Sequence, residues 1–340
     1  MRTRRSASHA PRGPIRRILL AVKDPRARAH PALVKGAQLA RALGARVRLF
    51  HAITAPVLIE AADRRSATLA QIEADRRERM RARLATLAGE LVKQGVAADV
   101  AVEWDFPPHE AIVRAARAFK ADLIVAECHP RHHVAPWLLR FADWELLRAS
   151  PVPVLLVKRG GRYRRPAVLA ALDPTHAYAK PAGLDPAIVR YGALVAAGLR
   201  GTLHALHAYN AMPIGLTPAE MSMPEVMAQF EVSQSARAQA LLDRALGSAS
   251  VARRNRHVSD RHPADAIADV AHETGSQLVV MGAISRSGLK RLLVGNTAER
   301  VLDRLRCDVL VVKPKAFPAR TGRARRGARV IPLTAVPPGL

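Results

Sequence analysis

The chain has 340 residues, 49% of them apolar, and sets 54 Lys and Arg against 28 Asp and Glu for a formal charge of +26. That length suits two domains of roughly 150 residues rather than one. Its apolar runs fall far short of the ~18 residues a spanning helix needs, no apolar signal core is visible near the start, and two cysteines, Cys128 and Cys307, make no disulfide framework, so the expected compartment is the reducing cytoplasm.

Residues 1–16 open the chain as a basic tail, and residues 315–340 close it as another; the ends 1–17 and 315–340 each carry six basic side chains and no acid. Both tails are expected to be disordered and solvated. Their alternative reading is an electrostatic grip on nucleic acid or anionic lipid. After the first tail, RRILLAVKDP (16–25) predicts a strand that ends in the turn initiator Asp-Pro. KGAQLARALGARVRLFHAI (35–53) predicts a helix, a glycine stop and a strand ending near His51. Residues 61–94 predict a long helix with charges at four-residue spacing, stopped by Gly95. LIVAE (123–127) and VLLVK (154–158) are continuously apolar, as strands covered on both faces are.

A glycine and arginine linker, GGRYRRP (160–166), follows, and then the order repeats. RPAVLAALDP (165–174) lies over the first strand, and RYGALVAAGLRGTLHALHAY (190–209) over the first helix and second strand, with His207 in place of His51. PAEMSMPEVMAQF (218–230), with Met221, Met223 and Met227, reads as a core patch or as a lid. Residues 102–158 overlay 257–313 without a gap at an offset of 155, with about a quarter of the positions identical. Strand–helix alternation with such strands gives two tandem doubly wound parallel-sheet α/β domains of Rossmann-like type. Their expected bounds are 17–159 and 167–314, joined by 160–166.

In this fold ligands sit beyond the carboxyl ends of the strands. Asp173 ends the first strand of the second half, Gly282 ends the fourth, and Gly295-Asn296-Thr297 precedes the helix AERVLDRL (298–305). Gly282 would let a phosphate approach the backbone, residues 295–297 would donate N–H groups and a hydroxyl at a helix start, and Asp173 would accept from a ribose or a base amine. The first half has ECHPRHH (127–133) at the corresponding exit. Cys128, His129, His132 and His133 form a zinc-like donor set, with Glu127 and His109 nearby; otherwise the loop is a solvated one whose histidines titrate. Trp137 and Trp144 read as packing, and Cys307 as a small buried side chain.

GNTAERVLDRLRCDVLVVKP (295–314), ADWELLRASPVPVLLVK (142–158) and PPHEAIV (107–113) together make the chain resemble tandem universal stress proteins, from about residue 17 to 315. The resemblance implies two fused domains acting as an internal pseudo-dimer, paired edge to edge through their last strands, with a further homodimer open. It also implies an ATP-like nucleotide held by Gly, two residues, Gly, nine residues, Gly, then Ser or Thr. Here those positions are Gly282, Ser285, Gly295 and Asn296, so two of the four depart from the pattern, and Thr297 stands one residue late. The aspartate after the first strand matches Asp24 and Asp173. In the first half the motif positions fall on Glu127, Pro130, Arg140 and Phe141, a set hostile to phosphate. The expectation is a non-catalytic protein that senses an anionic ligand in its second half; the alternatives are a slow ATPase and a nucleic-acid-associated protein using the tails.

Overall fold

The computed structural model describes residues 15–54, 57–59, 67–128, 144–175, 183–209, 217–282, 301–302, 304–313 and 330–332. The chain divides into two compact units, residues 1–127 with 320–340, and residues 128–319.

The first unit contains β1 (Arg17–Ala21), α1 (Pro31–Leu43), β2 (Arg46–Ile53), β3 (Val57–Ile59), α2 (Ala67–Lys93), β4 (Ala98–Trp104), α3 (Pro108–Phe119), β5 (Leu123–Glu127) and β12 (Val330–Pro332). Four strands make a parallel sheet in the order β4-β2-β1-β5. Ile18, Leu19 and Leu20 of β1 are fully buried, each contributing roughly 1.5–3 kcal/mol of hydrophobic stabilisation. Helix α1 crosses the sheet at Gly36, where an added Cβ would overlap Leu20. The long helix forms as its charge spacing implies, and it buries Met80, Leu84, Ala88 and Leu91 along one face. Met80 joins Ile53 and Trp104 in a core cluster. Gly95, at φ +80°, ends that helix: its N–H bonds the Val92 carbonyl, and the N–H of Val96 bonds that of Leu91. The segment 315–340 was expected to lack structure, yet Val330–Pro332 pairs in parallel with Val57–Ile59. VIP is an apolar interruption of the arginine run, and it meets the equally apolar VLI.

The second unit contains β6 (Val154–Val157), β7 (Ala167–Leu172), α4 (Leu184–Gly198), β8 (Thr202–Ala208), α5 (Pro218–Met221), α6 (Pro224–Leu246), β9 (Arg256–Ser259), α7 (Pro263–Glu273), β10 (Leu278–Gly282) and β11 (Asp308–Val312). Residues 144–149 are also helical. The strand order is β6-β11-β10-β7-β8-β9, parallel throughout except that β6 runs antiparallel to β11. Helix α4 repeats the close approach of α1, with Gly192 against Leu203 and Ala170. Two halves of one repeating sequence thus give the expected doubly wound α/β fold.

The β6–β11 pairing has a symmetry that the offset of 155 explains. Leu155 faces Leu310, Val154 faces Val311 and Leu156 faces Val309. The offset carries Leu155 onto Leu310, so the ladder is its own image about that pair. The side chains follow. Lys158 donates to the carbonyls of Leu302 and Leu305, while Lys313, its image, donates to the carbonyl of Leu147, the image of Leu302. Lys313 is buried, which pushes its amine down to about 7. Asp308 breaks the symmetry, because its image is Pro153. Fully buried, it accepts from the N–H groups of Lys158 (2.8 Å) and Arg159 (3.2 Å) and from the Tyr163 hydroxyl (2.6 Å). Burial first, and then the Asp308 charge, raises the Tyr163 phenol well above its usual range.

The methionine-rich stretch does not form a core patch. Met221 and Met223 are 42% and 50% exposed. A capping box between Thr217 and Glu220 starts α5 as a separate helical turn, and α6 buries Ala238, Leu242 and Leu246 further along. Among the described residues no helix is long and apolar enough to cross a membrane.

Candidate functional site

In the second unit the strand exits come together as the sequence implies, although Ser285, Gly295, Asn296 and Thr297 lie outside the described residues. Asp173 follows β7 directly. Its N–H donates to Asp185 Oδ1 (3.2 Å), in the first turn of α4, and its Oδ1 accepts from the Thr175 hydroxyl (2.8 Å). Its other oxygen, Oδ2, is buried without a hydrogen-bond partner among the described residues. Buried acceptors are nearly always satisfied, so this oxygen has capacity for one more donor.

A cavity of about 450 Å³ opens at the carboxyl ends of β7, β8 and β9; Asp173 is not in its wall and is connected to it through Thr175. Thr175 and residues 207–209 line it from β7 and β8, residues 260–263 from the turn into α7, and Gln234, Arg237, Ala238 and Leu241 from α6. Its electrostatics favour an anion. Arg237 has no carboxylate partner among the described residues, whereas Arg261 is engaged by Asp269. The N-terminus of α7 also opens here, but its first N–H groups are already engaged, Ala264 by the His262 ring (3.3 Å) and Asp265 and Ala266 by the His262 carbonyl (2.8 and 3.0 Å), so it offers only the partial positive charge of a helix start. Asp260 is the one acid in the lining. Sequence reasoning missed the contribution of α6, because Arg237 is one of many helix arginines and only the fold brings it to the strand exits.

Gly282 ends β10 with a role the sequence did not reveal. A Cβ there would lie 2.5 Å from Leu184 and 3.4 Å from Ile188. The glycine therefore lets the first turn of α4 settle on the strand exit.

The first unit treats the same exits differently. The Glu127 carboxylate accepts from the Ala32 N–H in the first turn of α1 (3.3 Å), so the protein's own anion occupies that helix start. After β4, the fully buried Asp105 holds Arg114 (2.5 Å), which also reaches Glu110 (3.0 Å). Asp24 turns inward on its own loop, accepting from the Arg26 N–H (2.8 Å). Of the proposed zinc ligands, His129, His132 and His133 lie outside the described residues. Cys128 is half-buried, and its N–H donates to the Val157 carbonyl (2.8 Å). Among the described residues no group of three or more His, Cys, Asp or Glu could hold a metal ion.

Comparison with known proteins bears on the fold and the family. The model of the universal stress protein family matches residues 14–158 and 181–313. Universal stress protein E of Salmonella typhi is 29% identical over 88% of this chain and 95% of its own length. Universal stress protein E of Escherichia coli K12 is 31% identical over 66% of this chain and 70% of its own. A solved structure of a functionally unknown protein from Pseudomonas aeruginosa PAO1 shares the fold at a TM-score of 0.68, with 24% identity, covering 89% of this chain and 94% of that one.

Proposed function

The chain belongs to the universal stress protein family, and we propose that it acts there as a binding protein whose second half seats an anionic small ligand of nucleotide type. The observation that carries this reading is an arginine-bearing cavity at the strand exits whose wall residue Thr175 is hydrogen-bonded to Asp173, a carboxylate with its other oxygen buried and without a partner among the described residues. A ribose hydroxyl or a base amine would supply one more donor. Arg237 would face the phosphates, with Gly282, Ser285, Gly295, Asn296 and Thr297 completing the seat. The first half serves as scaffold, since Glu127 already fills its helix start. Ligand binding would then alter the surface shown to partners. Cys128 and Cys307 are not in disulfides, which supports a reducing, cytoplasmic setting.

Calorimetry with ATP tests the reading. Wild type should bind at one site, and Asp173→Ala should weaken that site about tenfold or more. Heats of the wild type equal to buffer blanks would refute nucleotide binding. Turnover distinguishes the alternative: steady phosphate release from ATP, lost in Asp173→Ala, would make the protein a slow ATPase.

A further inference from the structure

The second unit has another cleft, at the opposite end of the same strands. It measures about 600 Å³ and lies at the amino ends of β10 and β11, between the C-terminus of α7 and residues 304–307. Because β6 is antiparallel to β11, its carboxyl end also arrives here and delivers Arg159. The cleft is therefore lined by Arg159, Arg304, Arg306 and His272, and by no carboxylate among the described residues. Arg304 is tied to Asp265. The guanidinium groups of Arg159 and Arg306 have no carboxylate partner among the described residues, although the Arg159 backbone N–H is held by Asp308 (3.2 Å).

The other walls do not cancel this charge. The end of α7 brings partial negative charge, yet its last carbonyls are occupied: Val270 accepts from Thr274, Ala271 from Ser276 and His272 from Gly275. Cys307 lines the cleft as a buried thiol pushed up to about 11, chiefly by burial, and so stays neutral. The Ser276 hydroxyl lies 2.7 Å from that of Thr274, leaving a polar rather than an acidic surface. The first repeat has no such device, since the offset of 155 places Ala149 and Pro151 where Arg304 and Arg306 stand.

We infer that this cleft is a second ligand site, for a small molecule bearing two or more linked phosphates, separate from the Asp173 cavity. Two guanidinium forks arriving from different strands suit adjacent phosphate groups, each taken bidentately. The volume falls in the range of small-molecule sites and is larger than a single phosphate requires.

Inorganic tripolyphosphate is the probe, titrated calorimetrically into the full chain at about 0.15 M salt, where distant surface charges are screened. Wild type should bind with one-site saturation, and the double variant Arg159→Ser with Arg306→Ser should lose about tenfold or more in affinity. Arg253→Ser with Arg254→Ser removes the same charge elsewhere and should stay within about twofold of wild type. Thermal melts confirm that each variant is folded, and Arg306→Lys, which keeps the charge and loses the fork, should show an intermediate loss. No heat from wild type overturns the inference, as do equal losses in both double variants, which would reduce it to net charge. Loss of tripolyphosphate binding on Asp173→Ala would place the ligand in the other cavity. A duplex oligonucleotide that needs Arg159 and Arg306 while tripolyphosphate does not would overturn the small-ligand assignment.

Discussion

The two repeats place an aspartate at the same position after their third core strand and use it in opposite ways. Asp105 is fully buried and holds Arg114, which also reaches Glu110. Its image, Asp260, is exposed and lines a cavity. At the fourth strand exit the first repeat has Glu127 bonded to a helix start, and the second has Gly282 packed beneath Leu184. Duplication thus preserved the strands and divided the work. One mouth is filled with the protein's own ion pairs, and the other keeps an acceptor, Asp173 Oδ2, and a cation, Arg237, that nothing among the described residues answers. A mouth closed by the protein's own charges can be recognised by those internal pairs, and not only by a missing motif.

The seam where the repeats' last strands meet gives the sharpest test of that asymmetry. Asp308 answers three donors, and its image Pro153 answers none. Asp308→Ala should cost about 3–5 kcal/mol by leaving the Tyr163 hydroxyl and two backbone N–H groups buried and unpaired, read by chemical denaturation. A cost below about 1 kcal/mol would show that water reaches the seam. Next in size is a backbone contrast between the helix ends that precede β2 and β8. The first repeat uses Gly44 at φ +65° and then Ala45; the second uses Arg200 at φ +54° and then Gly201. A Cβ at Gly201 would collide with the Pro166 carbonyl oxygen, so Gly201→Ala should destabilise by about 1–3 kcal/mol.

The lysine clasp adds a pH dependence. An unfolded lysine keeps its proton up to about 10.5, whereas the buried Lys313 releases it near about 7. Between those values the unfolded chain binds more protons, so stability rises with pH, by at most about 1.4 kcal/mol per pH unit. Denaturation curves at pH 7, 8 and 9 should show the rise in wild type and its loss in Lys313→Met. The smallest effect is a gain: Arg200→Gly relieves a non-glycine residue held in the left-handed region and should stabilise by about 1 kcal/mol, visible as a higher melting temperature.

Most of the fold was legible because its signals are local or periodic. Continuous apolar strands, glycine stops and an unbroken offset of 155 specify two doubly wound repeats before any coordinate is known. Asp173 was legible for the same reason, as a polar residue at a strand exit. What stayed hidden depends on residues distant in sequence. Gly282 reads as a phosphate-approach glycine, and only Leu184, ninety-eight positions upstream, supplies its packing reason. Met221 and Met223 read as apolar mass, but the Thr217 cap sets them on a short exposed helix. Arg159 and Arg306 are two basic residues among 54 in the sequence, and antiparallel pairing at the seam is what brings them to one cleft.

That seam also acts as a vernier. Sliding one strand by two residues would keep every apolar side chain on its proper face, and hydrophobicity alone would scarcely object. The slip would, however, draw both terminal amines away from their helix carbonyls at the same moment, so a pair of matched hooks selects the alignment that a greasy ribbon leaves undecided.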